Sequence, residues 1–406
     1  MIYIPRYLEP VVQEIHRTFK VLYVGGPRQV GKTTMLQHLA KKHRIAYANL
    51  DDISIRSLAK QDPDLFLQKY PPPLFIDEAQ YAPELFPYIK IRVDKTNQNG
   101  QYWLSGSQQF SMMKNVQESL AGRVGIISLL PLSWAEISHN KRVSKPFLPF
   151  PARKALNSKI DVNSTFKHII KGSFPSFYRD NAPNPKRFYS SYIQTYLDRD
   201  IRDIFGIGKM ETFHRFLELI AARTGQLLNY SDLARDANIS VPTVVEWISI
   251  LENTMQIYLL RPYHSNFSKR LIKRPKIYFL DTGLAAHLTK WDSSEALRDS
   301  AMAGAFFETF VVSEIIKSYL FRGLEPPLHF FRDKEGHEID LLIETNQKLY
   351  PVEIKMASRI TPNHAHHIQY LKERVSKIAQ GAIISLAPHS GMLGREIEIL
   401  PADAIE

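Results

Sequence analysis

The chain contains no cysteine. That excludes disulfides, thiolate metal sites and cysteine nucleophiles, and it suits a reducing cytoplasm. No apolar run approaches the roughly 18 residues needed to cross a bilayer. The opening MIYIPRYLEP has no signal-peptide pattern. The expectation is a cytoplasmic protein that does not span a membrane. Internal repeats and low-complexity tracts are also absent, so nothing points to a solenoid. Acids are scarcer than bases, 41 against 52, for a net charge of +11. That excess favours anionic partners such as nucleotides, nucleic acid such as DNA, or acidic surfaces; it is equally compatible with a basic surface that only confers solubility. With 44% hydrophobic and 23% charged residues over 406 positions, the chain should be globular and hold two or three domains.

What is present starts with Gly26-Pro-Arg-Gln-Val-Gly31-Lys32-Thr33, which fits the phosphate-binding pattern GxxxxGK[ST]. KVLYVG before it reads as a buried strand, and MLQHLAKK after it as a helix. The motif needs that order of strand, glycine loop and helix. Glycines let backbone N–H groups wrap a phosphate chain, and the helix N-terminus adds its positive dipole end. Gly26, Gln29, Gly31, Lys32, Thr33 and Thr34 are the expected nucleotide-binding residues. Lys32 can reach the terminal phosphates, and the Thr33 hydroxyl can bind Mg²⁺.

Leu74-Phe-Ile-Asp77-Glu78 is an apolar strand ending in two acids, fenced at its start by Pro71 to Pro73. Asp77 can hold the Mg²⁺ that bridges phosphates, and Glu78 can orient or activate the attacking water. Together the two motifs make an ATP or GTP hydrolase the leading reading. Five strand candidates alternate with helices between Lys20 and Pro131: VLYVG, IAYANL, LFIDE, QYWLSGS and GIISLL. Such alternation implies an α/β fold with a parallel sheet, whose ligand sits at the strands' carboxyl ends. At the end of QYWLSGS, Ser107 is the candidate sensor of the γ-phosphate, with Gln108 next to it. Arg123 precedes the fifth strand. It could reach a phosphate in a neighbouring subunit of a homo-oligomer, or form a surface ion pair.

The chain resembles prokaryotic AAA+-type ATPases that carry a long C-terminal region of uncharacterised function. The resemblance runs nearly end to end. It rests on GGPRQVGKTT, LFIDEAQ, LSGSQQF, SLAGRV with LLPLSWAE, KGSFPSFY (171–178), TYLDRDI (195–201), YFLDTGL (278–284) and VEIK. It implies an AAA+ ATPase core at 1–138, a linker and helical segment at 139–205, a winged-helix domain at 206–275 and a restriction-endonuclease-like domain at 276–406. It also implies ATP rather than GTP. Read alone, TYLDRDI is a charged helix with Asp198, Arg199, Asp200 and Arg202 in solvent.

Leu227 to Glu252 reads as helix, turn, helix, with Ser231 and Ser240 as N-caps and Pro242 in the second first turn. A DNA-reading helix offers Arg, Lys, Asn or Gln to base edges. SVPTVVEWISILE offers no Lys or Arg and carries two glutamates, and Val244, Trp247, Ile248 and Leu251 look like core. A packing or lid role fits it better. Lys269, Arg270, Lys273, Arg274 and Lys276 follow as a basic cluster, either a phosphate-contacting loop or a solvated connection.

Near the end, HEIDLLIE and LYPVEIK read as two strands joined at Asn346-Gln347. Glu353 and Lys355 are two apart, so they share a strand face, and a hairpin brings Asp340 beside them. This is the Asp…Glu-x-Lys arrangement of restriction-type nucleases, in which the carboxylates bind Mg²⁺ and the lysine serves the attacking water. The family resemblance adds Glu308, on the preceding helix, as a further acid at the metal. A hairpin with charged outer positions, or a nuclease-like fold used only for binding, gives the same pattern. His364, His366 and His367 read as a solvated helix start. Three functions therefore stay open: an ATPase coupled to nucleic-acid binding, an ATP-gated DNA nuclease, and a nucleotide-controlled scaffold for a protein partner.

Overall fold

The computed structural model describes residues 3–106, 116, 118–140, 145–149, 158, 161–197, 210–264 and 274–405, with the backbone alone at 196 and 197. Among these residues the first sheet holds β1 (Val21–Gly25), β2 (Ala46–Asn49), β3 (Leu74–Asp77), β4 (Tyr102–Ser105) and β5 (Val124–Ser128) in the order β2-β3-β4-β1-β5. Every pairing is parallel.

Parallel strands with helices on both sheet faces bury both sets of side chains, so they read as unbroken apolar runs. Strand alternation then divides the core. Val21 and Tyr23 join Leu74, Ile76, Tyr102 and Leu104 on one face, under the helices Ile53–Gln61, Pro63–Lys69 and Leu85–Asp94. Leu22 and Val24 join Phe75 and Trp103 on the other, under Glu9–Thr18 and Lys32–His43. Because β4 alone separates β1 from β3, the loops after both strands emerge at the same sheet edge.

A second sheet of nine strands follows. Its strands are β6 (Gln226–Leu227), β7 (Ile257–Pro262), β8 (Lys276–Phe279), β9 (Leu328–Arg332), β10 (Glu338–Thr345), β11 (Lys348–Lys355), β12 (Gly381–Ser385), β13 (Gly391–Leu393) and β14 (Ile397–Pro401). Their order is β13-β14-β12-β11-β10-β9-β7-β8-β6. Three helices, Met210–Ala221, Tyr230–Ala237 and Val241–Asn253, are interleaved with its first strands. Val244, Trp247, Ile248 and Leu251 are all buried, with Trp247 edge-on to Phe213 and Phe216. Ser240 caps its helix as expected. Ser231 does not: Asn229 is the cap of Tyr230–Ala237, its side chain accepting the Ser231 and Asp232 N–H groups, which puts Ser231 inside the first turn. Asn and Ser cap about equally well, so the pattern alone allowed either register.

The hinge between the two sheets is built from motifs that had no role in the sequence reading. Asp281 of YFLDTGL is buried and accepts the Ser173 N–H at 2.8 Å, the Tyr189 hydroxyl at 2.7 Å and the Leu284 N–H at 2.9 Å. It thereby caps one helix and anchors KGSFPSFY. Gly172 has φ +77°, and a Cβ there would meet the Tyr189 hydroxyl at 1.9 Å, so the backbone crossing requires glycine. The helix Ala303–Leu320 is apolar almost all round, as a fully enclosed helix must be. Its buried Glu314 and Lys317 hold the chain after β5. Glu314 Oε2 accepts the Trp134 N–H at 2.7 Å, and Lys317 Nζ donates to Leu132 O at 3.0 Å. No helix among the described residues is long and apolar enough to cross a membrane.

Candidate functional site

Gly26 leaves β1 with φ +137°, and a Cβ there would lie 2.1 Å from the Leu129 carbonyl oxygen. A side chain would collide with fixed backbone, so only glycine fits. Gln29 and Gly31 also take positive φ, and Gly31 caps the helix Lys32–His43 from the left-handed region. The loop's N–H groups are thereby turned to one side, at a helix N-terminus. Lys32 is 7% exposed, its ammonium folded back to donate to Gly26 O at 3.0 Å and Pro27 O at 2.8 Å. Burial lowers its pKa to about 8, with the nearby Glu78 carboxylate pulling the other way.

Asp77, buried at the end of β3, gathers three hydroxyls. Thr33 Oγ1 donates to Oδ1 at 3.1 Å, Ser105 donates to the same oxygen, and Tyr47 donates to Oδ2 at 3.1 Å. Thr33 and Asp77 together offer hard oxygen donors, the set that Mg²⁺ takes. Glu78 follows in the left-handed region, φ 56° and ψ 43°, a strained conformation for a non-glycine residue, with the Gln80 amide on its carboxylate. The strain turns the Glu78 side chain into the cleft.

That cleft has a volume of about 740 Å³. Gln29, Gly31, Lys32, Thr33, Thr34 and Glu78 line it, with Arg28 and Asp51. The remaining wall comes from beyond the first sheet: Pro175, Ser176, Tyr178 and Arg179. Pro175 would lie 3.8 Å from a Cβ on Gly31. Arg6, which also lines the cleft, braces the loop, donating to Val30 O at 2.9 Å and Leu130 O at 2.8 Å while paired with buried Glu136 at 3.2 Å. Sequence reasoning missed Arg6, Ser105 and Arg179. Ser105 lies in a segment already singled out, and Arg179 directly follows KGSFPSFY; Arg6 had no local signal.

Ser107 and Gln108 lie outside the described residues, as do TYLDRDI from Asp198 onward and Lys269, Arg270 and Lys273 of the basic cluster. Arg123 is not brought to the cleft. It immediately precedes β5, so it sits at the opposite sheet edge from the loop that follows β1, and its guanidinium makes two contacts with Asp94, at 2.5 and 2.9 Å. Lys276, expected in a basic loop, is 4% exposed and bound to carboxylates. Strand pairing draws it inward: it sits between β6 and β7 in the sheet.

The C-terminal constellation lies on the second sheet. Asn346 and Gln347 both take positive φ, 51° and 60°, as a two-residue hairpin turn requires. The register pairs Leu341 with Val352, which sets Asp340 beside Glu353. Asp340 Oδ2 accepts the Ile354 N–H at 2.8 Å and lies 3.4 Å from Lys355 Nζ; that ammonium lies 2.6 Å from Glu353 Oε2. Glu353 is fully buried, and its Oε1 meets no hydrogen-bond donor. Burial, then the Asp340 charge, push its pKa well up. Glu308 reaches the same region from its helix, accepting from the Tyr278 hydroxyl at 2.6 Å and the Lys276 ammonium at 3.1 Å. Its pKa is raised first by burial and then by Asp340. With Lys355 on Glu353 Oε2, the buried Oε1 left without a donor is the oxygen through which Glu353, with Asp340, offers hard donors suited to a divalent ion. His364 is used locally, its Nδ1 accepting the Thr361 N–H at 3.0 Å.

Residues 18–138 match the family described as AAA domain; 163–295 and 303–405 match two domains of unknown function, DUF8612 and DUF4143. The first sheet and its glycine loop lie within the segment that matches the AAA domain. An uncharacterized protein of Mycobacterium tuberculosis is 28% identical over 394 residues, covering 96% of this chain and 82% of its own. One of Methanocaldococcus jannaschii is 22% identical, covering 90% and 80%. A solved structure, the Walker-type ATPase of Pyrococcus abyssi, is 14% identical with a TM-score of 0.43, covering 69% of this chain and 94% of its own.

Proposed function

We propose that this chain binds and hydrolyses ATP with Mg²⁺ in the cleft after β1 and β3. The observation that carries it is the convergence of Lys32, Thr33, Asp77 and Glu78 at one sheet edge. Lys32 exchanges its two loop carbonyls for phosphate oxygens. Thr33 and Asp77 would hold Mg²⁺, which would offset the negative charge of the phosphates. Glu78 orients the attacking water and takes its proton. Pro175 to Arg179 close the cleft from the next module, so nucleotide binding bears on both.

Beyond the ATPase module we read a winged helix and a restriction-endonuclease-like domain. Support for the first is the order helix, β6, helix, helix, β7, β8. Support for the second is the helix Ala303–Leu320 packed on a mixed sheet whose central hairpin carries Asp340, Glu353 and Lys355. The net charge of +11 favours DNA as the partner to which hydrolysis is coupled, through phosphates rather than base edges. A second reading, an ATP-gated nuclease, is favoured by the Asp340, Glu353 and Lys355 cluster. Turnover of ATP with and without DNA, run beside a Mg²⁺- and Mn²⁺-dependent cleavage assay, separates them. DNA-stimulated turnover without cleavage supports the first reading, and cleavage that needs ATP the second. Turnover indifferent to DNA, with a tight protein partner, favours a scaffold. Absence of turnover sinks the ATPase proposal.

A further inference from the structure

The C-terminal cluster already contains a cation. Lys276 enters it from β8, a strand outside the hairpin that carries Asp340 and Glu353. Its side chain is 5% exposed, and its ammonium lies 3.1 Å from Glu308 Oε1 and 2.5 Å from Glu338 Oε1. Two residues on, and so on the same strand face, Tyr278 donates its hydroxyl to the same Glu308 oxygen. The Phe330 ring lies 5.8 Å from the ammonium. Nor can Lys276 withdraw easily. Its backbone pairs with Leu227 of β6 and Leu260 of β7, so retreat means breaking ladders on both sides.

A divalent ion at Glu308 would either displace this ammonium from Oε1 or sit on the other carboxylate oxygen against its positive charge, and both are unfavourable. Removing the ammonium while Glu308 and Glu338 stay half-buried leaves two neighbouring carboxylates uncompensated, an unfavourable state. At the other end of the cluster the Lys355 ammonium sits on one oxygen each of Asp340 and Glu353, but its side chain is 32% exposed and can swing to solvent, and Glu353 Oε1 is buried without a donor. One side is therefore held by an enclosed ammonium, the other by a half-exposed one that leaves a buried carboxylate oxygen over. We infer that Lys276 is a built-in cation that closes the Glu308 side of the cluster to divalent ions and leaves the Asp340 and Glu353 pair open to one. Glu308 then acts as the anchor of β8 and not as a metal ligand. The inference stands on these ion pairs and does not depend on ATP hydrolysis.

The test counts bound Mn²⁺ on the full chain, without nucleotide, from the loss of the free-ion electron paramagnetic resonance signal. The glycine loop contributes equally to every variant. Glu308→Gln is expected to leave the wild-type count unchanged. Lys276→Met is expected to raise it by one, and adding Glu308→Gln to Lys276→Met to remove the extra ion. Lys276→Arg, which keeps the charge, is expected to match wild type. A Glu308→Gln chain that loses an ion while Lys276 is present overturns the inference, and so does a Lys276→Met chain with wild-type circular dichroism that gains none. The Glu308→Gln arm keeps the buried lysine and decides even where Lys276→Met fails to fold.

Discussion

Replacing Lys32 with Met keeps the side chain's apolar stem and removes its ammonium. In the wild-type chain that ammonium spends its hydrogen bonds on two carbonyls of its own loop. Nucleotide binding exchanges them for phosphate oxygens. Hydrogen bonds to a charged group contribute about 1.5–3 kcal/mol, so Lys32→Met should weaken nucleotide binding roughly ten- to hundredfold. Protons give a second signature. Burial brings Lys32 down from 10.5 to about 8 in the folded chain. The folded value lies below the unfolded one, so the unfolded chain holds more protons between those limits. The contribution of Lys32 to stability thus grows as pH rises across that window and is lost as pH falls through 8. Phosphates favour the charged form and restore the proton. At pH 9 a group with a pKa of about 8 is only about one-tenth protonated, so binding should take up about 0.9 proton, against about 0.1 at pH 7. Calorimetry at both pH values, in two buffers of different ionisation enthalpy, measures this directly with Lys32→Met as baseline. Equal proton uptake by the two chains at pH 9, or dissociation constants within threefold, would refute the reasoning.

Glu78→Gln keeps the Thr33 and Asp77 oxygens, so nucleotide should still bind while turnover falls about 10²- to 10⁴-fold, read by phosphate release; equal turnover in both chains sinks the assignment. Gly26→Ala sets a Cβ against the Leu129 carbonyl in a backbone conformation that side chains avoid, and should both abolish nucleotide binding and lower the melting temperature. Asp340→Asn should leave ATP turnover within twofold of wild type and remove any metal-dependent cleavage, because it lies on the second sheet. If Arg123 acts on a phosphate in a neighbouring subunit, turnover per subunit should rise with protein concentration in wild type and not in Arg123→Ala; concentration-independent turnover in both chains leaves it with its contacts to Asp94 and Ala121 alone.

Short-range rules carry the sequence a long way here. β1 coincides with VLYVG because a parallel strand buried on both faces has no alternative to an unbroken apolar run. The glycine loop is legible because its special backbone angles are confined to a few consecutive residues. Hairpin alternation accounts for the neighbourhood of Asp340, Glu353 and Lys355. What stayed hidden depends on distant segments meeting. Arg6 reaches Val30 and Glu136 across the fold, and Arg179 lines the cleft from a segment that Asp281 anchors at Ser173. Lys276 looked solvated beside its basic neighbours. Its burial is decided by strand order, with β8 between β6 and β7, which composition does not report.

The helix Ala303–Leu320 is a strut with cargo at two stations. Glu314 and Lys317 grip the chain that leaves the first sheet, and Glu308 stands six residues, about 9 Å, nearer its start. An enclosed helix moves as a rod, so it cannot absorb a tilt along its length as a loop would. A rotation of about 5° at the Glu314 station displaces Glu308 by about 0.8 Å over that rise. Hydrogen bonds of 2.6 and 3.1 Å do not survive a shift of that size unchanged. The grip on β8 is therefore tied mechanically to the chain beside the cleft: a small turn at one end would be a change of partners at the other.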